Sequence, residues 1–161
     1  MSGKRVDPKP GLQGEWWVVA QVAVFLIVFG LPRVIHGGLG HSGGQLRSAG
    51  YAIAVIGGTE ALLGLIALGR NMTPLPMPRA GGFLVRVGVY SLVRHPIYAG
   101  IILAGIAQAI ICPSVATFIG ALLVALFGDM KASREEIWLI AAHPEYAGYR
   151  ERTKKFVPWV Y

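Results

Sequence analysis

Four long apolar runs, separated by polar or glycine- and proline-rich segments, are the dominant pattern of the chain. Each run is almost free of charge over several helical turns, which favours helices over strands. The predicted helices cover residues 16–31, 46–68, 97–111 and 115–130. Only Cys112-Pro113-Ser114 separates the last two, which predicts a short helical hairpin whose second helix can run on through Ala141. The pattern therefore predicts an all-α integral membrane protein with about four transmembrane helices.

The segments between these helices differ in kind. Residues 33–45 are rich in glycine and predict a flexible loop. Residues 71–78 read Asn-Met-Thr-Pro-Leu-Pro-Met-Pro, and such alternating prolines exclude a helix. This stretch is expected to form an ordered extended strap. The β-branched content of Phe83–Val87 predicts a short extended segment, followed by a turn at Gly88.

The C-terminal part of the chain is more polar. Pro144 suits the first turn of a helix, which predicts a last helix from Glu145 to about Lys155. Four of its residues share one face at helical spacing: Tyr146, Tyr149, Thr153 and Phe156. The whole chain, 1–161, is expected to form one membrane domain. It begins with a basic tail over 1–15 and ends with a cytoplasmic or interfacial segment over 131–161.

Composition supports this class. The chain of 161 residues is 54% hydrophobic and only 14% charged, which is too apolar for an ordinary soluble domain. Its net charge of +7 suits anionic lipid headgroups, and the sequence contains no nucleic-acid-binding motif. The expected partners are thus the membrane and a ligand from it, and not a nucleic acid. The pattern leaves the oligomeric state open.

Two polar clusters flank the predicted hairpin. Arg94-His95-Pro96-Ile97-Tyr98-Ala99-Gly100 precedes it and Arg134-Glu135-Glu136 follows it. Because charged groups near hydrocarbon are costly, clusters in this position indicate a functional site. Lysines and arginines are concentrated in the N-terminal tail, the segment 69–96 and the C-terminal segment. The positive-inside rule then places both termini and both clusters on the cytoplasmic side of the membrane.

These residues resemble the isoprenylcysteine carboxyl methyltransferase family, part of a broader group that includes phospholipid N-methyltransferases. The resemblance covers roughly residues 46–161 and rests on the order and spacing of several motifs. They are the Arg94–Gly100 run, Glu135-Glu136 with Leu139, Tyr146-x-x-Tyr149 and Pro158.

The resemblance implies a helical membrane fold whose cytoplasmic end binds S-adenosyl-L-methionine, while a lipophilic substrate enters from the bilayer. The methyl acceptor would be an isoprenylcysteine-like carboxylate or a lipid headgroup. The family implies catalytic roles for Arg94 and Glu136, and Arg94 would bind the carboxylate of the cofactor or of the substrate. It also implies cofactor contacts for a larger set of residues: His95, Pro96, Tyr98, Gly100, Glu135, Glu136, Tyr146 and Tyr149.

Structural alternatives exist for these residues. Arg94 and His95 can be interfacial cations, and the two tyrosines can be packing residues. Glu135 and Glu136 can form a solvated helix face. Adjacent helical residues point about 100° apart, so the two acids are not expected to touch one ligand, and the family favours Glu136.

Two further features are less specific. Glu60 lies within the second apolar run, where an acid either bonds between helices or lines a substrate pocket. His36 and His41 have no cysteine or acid at ligand spacing, so no metal site is expected.

Three classes of function remain at this point. The first is the methyltransferase. The second is an NADPH-dependent membrane reductase related to sterol reductases, in which Arg150, Arg152, Lys154 and Lys155 would bind the 2′-phosphate. The third is a membrane protein without catalysis. The acceptor atom is open, because a carboxylate needs no base whereas a protonated amine or a hydroxyl does.

Overall fold

The computed structural model describes residues 14–30, 42–79 and 81–161. The α-helices of these ranges are α1 (Glu15–Phe25), α2 (Gly44–Leu68), α3 (Pro96–Ile111), α4 (Val115–Ala142) and α5 (Tyr146–Arg152). A π-helical turn over Leu26–Gly30 continues α1, and 3-10 turns form at Gly69–Asn71 and Gly88–Ser91. The described ranges contain no β-strand, which confirms the all-α class. Most of the predicted loop 33–45 and of the tail 1–15 lies outside them, as do His36 and His41.

Two helices are long and apolar enough to cross a membrane. They are α2, together with its 3-10 turn, and α4. The apolar stretches Glu15–Gly30 and Pro96–Ile111 are shorter. Large apolar side chains such as Val55, Ile66 and Leu122 are exposed on α2 and α4, as expected for helices that face lipid. Two of the four predicted spans are thus long and apolar enough to cross a membrane, and the other two stay predictions.

The predicted hairpin is confirmed. Ser114 caps α4: its hydroxyl accepts from the Thr117 amide at 3.1 Å, and its own amide donates to the Thr117 hydroxyl at 3.0 Å. This reciprocal capping box ends the turn after α3. No glycine or proline occurs between Asp129 and Ala142, so α4 continues without a break well beyond the predicted span. This extension carries Glu135 and Glu136 back alongside the start of α3.

The predicted end of the last helix is wrong. α5 stops at Arg152 because Thr153 adopts an extended conformation, with φ −119° and ψ 135°. The carbonyls of Lys154 and Lys155 then accept hydrogen bonds from the amides of Arg94 at 2.8 Å and His95 at 3.1 Å. A helix that reached Lys155 would lose both bonds. The C-terminal segment is instead tied directly to the motif that precedes α3.

The proline-rich stretch after Asn71 is non-helical, as predicted, and we call residues 72–79 the strap. The Asn71 side chain joins its start to the chain beyond it, donating to the Phe83 carbonyl at 3.2 Å and accepting from the Phe83 amide at 3.3 Å. No strand forms over Phe83–Val87 in this described part. Gly88 begins the following turn with φ +62°, a conformation that glycine adopts without strain, which confirms the predicted turn.

Helices α2 and α3 cross at a pair of glycines. A Cβ atom on Gly100 would lie 2.2 Å from the Gly57 carbonyl oxygen and 2.8 Å from the Ala61 Cβ atom. Small residues allow such close approach of two backbones in membrane helices. This crossing sets the position of the first turn of α3, where the motif residues lie.

We expect Gly100→Ala to destabilise the protein by about 1–3 kcal/mol, because the new methyl group meets backbone that must shift. Gly58→Ala is the matched control, since a Cβ atom there has nothing within 4 Å and alanine favours helix. Thermal unfolding of the detergent-purified variants should show a lower Tm for Gly100→Ala alone. Equal Tm values would contradict the assigned packing.

Candidate functional site

Two cavities lie beside the start of α3. The first, which we call the strap cavity, has a volume of about 230 Å³ and lies between the strap and helices α2, α3 and α4. The second, the polar cavity, has a volume of about 490 Å³ and lies between α4, α5 and the C-terminal segment. Arg94 lines both. The two predicted polar clusters thus come together, but they contribute to two spaces rather than one.

Glu135 faces the strap cavity. Its carboxylate accepts a hydrogen bond from the Tyr98 hydroxyl, and its Oε2 atom lies 3.8 Å from His95 Nδ1. His95 and Tyr98 line the same cavity. The antiparallel hairpin places the first turn of α3 beside the last turns of α4, which explains why residues so distant in sequence meet here. A carboxylate, a phenol and an imidazole therefore share one wall.

Glu136 points to the polar cavity and is almost fully engaged. Its Oε1 atom accepts from Arg94 Nε at 2.8 Å and lies 3.2 Å from His95 Nε2. Its Oε2 atom lies 3.2 Å from Arg150 Nε. The Glu136 side chain is only 6% exposed. Buried charges persist when they are paired and hydrogen-bonded, so Glu136 serves as the centre of an ionic cluster.

Arg94 connects this cluster to the C-terminal part of the chain. Its Nη1 atom donates to the Arg150 carbonyl at 3.1 Å and also to the Thr153 carbonyl. These two carbonyls belong to the end of α5, where helical acceptors lack partners within the helix. Arg94 thus caps α5 and holds it against α4. Its role in the described structure is more than that of an interfacial cation.

His95 lies between the two acids and is buried. Burial lowers the pKa of its imidazole, although the hydrogen bond with Glu136 opposes this. The side chain is therefore neutral at neutral pH. A neutral imidazole between two carboxylates can donate at one nitrogen only and accept at the other.

The lowered pKa of His95 predicts a loss of stability in acid. The unfolded chain takes up a proton near the ordinary histidine pKa of about 6.5, whereas the folded protein resists it. By linkage, stability is retained above that value and falls as the pH drops below it. We expect the Tm of the parent protein to fall more between pH 7.5 and 5.5 than that of His95→Gln. Equal slopes would contradict a buried neutral His95.

Tyr146 and Tyr149 line neither the strap cavity nor the polar cavity. Both are buried, with ring centroids 5.6 Å apart in an edge-to-face arrangement. The Tyr149 hydroxyl donates to the Tyr90 carbonyl. Burial raises the pKa of the Tyr146 hydroxyl, and the nearby Glu136 carboxylate adds to this effect. The pair is thus buried away from both cavities, and its contact with a cofactor stays a prediction.

Three other predicted residues lie away from both cavities. Pro96 is buried at the first position of α3. Gly100 lies at the crossing with α2, which gives it a packing role. Glu60 lies on α2 and lines neither cavity, and in the described part of the chain it has no hydrogen bond or ion pair. The basic residues considered for a 2′-phosphate also avoid the strap cavity: Arg150 pairs with Glu136 and Lys155 with Asp129.

Sequence reasoning missed several residues of the strap cavity. Lys131, Gln21 and Tyr90 line it together with the strap. Lys131 had a detectable signal, because it precedes Glu135 by one helical turn and therefore shares its face. Gln21 and the strap had no such signal in the sequence, because their position at the cavity depends on how α1 and the strap pack against the other helices.

Comparison with known proteins places the chain in a family. The model of the isoprenylcysteine carboxyl methyltransferase (ICMT) family matches residues 51–141. The cobalt-zinc-cadmium resistance protein CzcN of Cupriavidus metallidurans is 32% identical over 149 residues, which cover 90% of this chain and 62% of that protein. The structure of the eukaryotic intramembrane Ras methyltransferase ICMT matches with a TM-score of 0.65 at 20% identity, over 96% of this chain and 55% of that chain. The chain therefore belongs to the isoprenylcysteine carboxyl methyltransferase family.

Proposed function

We propose that this protein is an integral membrane methyltransferase that moves a methyl group from S-adenosyl-L-methionine to a lipophilic acceptor. The observation that carries the proposal is the strap cavity, whose wall combines Arg94, His95, Tyr98 and Glu135. These are the residues that resemble the family motif, and family membership supports the reaction. The cavity lies beside the apolar ends of α2 and α3, with Leu65, Leu68 and Ile97 in its wall.

The residues present fit the cofactor. S-adenosyl-L-methionine carries an ammonium and a sulfonium, and when bound it supplies an electrophilic methyl group. Glu135 presents a carboxylate to the strap cavity, and Tyr98 holds that carboxylate in place. Glu136 is less suited to a ligand contact, because both of its oxygens already have side-chain partners. The geometry thus favours Glu135 over Glu136 for the cofactor, with Arg94 and Glu136 supporting the wall behind it.

The protein's own part in such a reaction is positioning and exclusion of water. The strap covers the cavity, and apolar side chains form much of its lining. If the acceptor is a carboxylate, no base is needed. If it is an amine or a hydroxyl, His95 is the side chain best placed to take the proton, since it is neutral and lines the cavity. The acceptor class is an isoprenylcysteine-like carboxylate or a lipid headgroup, with the site on the cytoplasmic side.

The test is calorimetric titration of the detergent-purified protein with S-adenosylhomocysteine, with NADPH in parallel. We expect binding of S-adenosylhomocysteine only. Binding of NADPH alone would replace the methyltransferase by the reductase, whose supposed phosphate-binding residues are engaged outside the strap cavity. Binding of neither ligand by protein that unfolds cooperatively would favour a membrane protein without catalysis.

A further inference from the structure

Lys131 places a buried ammonium group at the wall of the strap cavity. The residue is only 1% exposed. Its Nζ atom donates to the Pro74 carbonyl at 3.0 Å and to the Gln21 side chain, and it lies 5.7 Å from the centroid of the Tyr98 ring. All three partners also line the cavity. The ammonium is thus close to the space that a ligand would occupy.

This ammonium lies near Glu135 but forms no salt bridge with it or with any other acid in the described part of the chain. Lys155 shows the usual solution, because that lysine is also buried but is paired with Asp129. The acid one turn beyond Lys131 is Glu135, and its carboxylate bonds to Tyr98 instead. Taking a cation out of water without an opposite charge is unfavourable. An anionic group from a ligand would supply the missing charge.

The ammonium also has capacity for a ligand. An ammonium group has three N–H donors, and Pro74 and Gln21 accept two of them. Arg94, the residue that the family resemblance implies for a carboxylate, already donates Nε to Glu136 and Nη1 to two backbone carbonyls. The charge of Arg94 is thus already balanced by Glu136, whereas Lys131 has a free N–H donor and no salt bridge in the described part of the chain.

We propose that Lys131 binds the carboxylate of the cofactor's amino-acid part, while Glu135 faces its ammonium. The Cβ atoms of residues four apart on a helix lie about 5–6 Å from each other. Lys131 and Glu135 have this spacing, and they form no hydrogen bond or salt bridge with each other. The face of α4 thus presents one positive and one negative group, the complement of an α-amino acid. The inference rests on the proposed function and names the part of the cofactor that the cavity recognises.

The test compares two ligands without any acceptor present. S-adenosylhomocysteine and its decarboxylated analogue, 5′-deoxy-5′-(3-aminopropylthio)adenosine, differ only in the carboxylate. We expect the parent protein to prefer the former by roughly ten- to a hundredfold in Kd, the range of a hydrogen bond between charged groups. Lys131→Met should reduce this preference to nearly one, and Lys131→Arg should retain most of it.

Controls separate recognition from folding. Lys155→Met removes a second buried lysine of the described residues, one that lines the polar cavity, and should leave the preference unchanged even if it lowers Tm. A preference for S-adenosylhomocysteine that survives in Lys131→Met would overturn the inference. If that preference is lost in Arg94→Gln at the same time, Arg94 and not Lys131 binds the carboxylate. An effect of Lys131→Met on an acceptor carboxylate alone, seen as a raised KM for N-acetyl-S-farnesylcysteine, would also overturn it. If the parent protein binds neither adenosine ligand, the proposed function itself fails.

Discussion

Glu136→Ala is expected to lower the free energy of unfolding by about 3–5 kcal/mol, the range for removing one partner of a buried ion pair. The substitution leaves the Arg94 guanidinium, which is 9% exposed, without its carboxylate. It also removes the acceptor near His95 Nε2. Arg150 contributes less, because its side chain is half exposed and screened by solvent. The loss should detach α5 and the C-terminal segment from α4.

Thermal unfolding in detergent measures this effect, with limited proteolysis after Arg150 and Arg152 as a local probe. Glu151→Ala is the matched control, because Glu151 is the exposed acid on the neighbouring helix. We expect that control to keep the parent's Tm and its resistance to protease. An unchanged Tm for Glu136→Ala would show that the ionic cluster does not hold the C-terminal segment in place.

Glu135→Gln is expected to weaken binding of S-adenosylhomocysteine by roughly ten- to a hundredfold while leaving the fold intact. The amide has the shape of the carboxylate and can still accept from the Tyr98 hydroxyl, so the local packing persists. It lacks the charge that a ligand ammonium requires, and a hydrogen bond between charged groups is the stronger kind.

Calorimetric titration and Tm of the same preparation separate binding from stability for this variant. Tyr98→Phe is the informative companion, because it keeps the charge of Glu135 and removes only the hydrogen bond that orients it. We expect a smaller loss of affinity for Tyr98→Phe than for Glu135→Gln. If Glu135→Gln binds S-adenosylhomocysteine with the affinity of the parent and Glu136→Gln does not bind it, Glu136 is the residue that contacts the ligand.

The sequence predicted the helices more accurately than the end of α5, and this difference has a physical cause. The apolar runs predicted the helices well, because hydrophobic length is a local property that the membrane environment requires of each helix separately. The end of α5 was wrong because it depends on the segment Val93–His95, far away in the sequence, which takes the hydrogen bonds of Lys154 and Lys155. Local propensity contains no information about such a competing partner.

The acids illustrate the same limit at the site. Their adjacency in the sequence required them to point in different directions, and that expectation is met: Glu135 lines the strap cavity and Glu136 the polar cavity. Which acid faces which cavity depends on the rotation of α4 against α3, a property of packing. The site roles, the sidedness of the membrane and two of the four spans stay predictions.

The sequence by itself determined the all-α class, the hairpin, the non-helical strap and the polar motif that leads to the family, because each is encoded in contiguous residues. Only the tertiary structure decided that Glu136 is the centre of an ionic cluster, that Gly100 packs against Gly57, and that Lys131 reaches the strap cavity without a salt bridge. Each of these depends on contacts between segments far apart in the chain, where burial and the choice of partner set the energy of a charge.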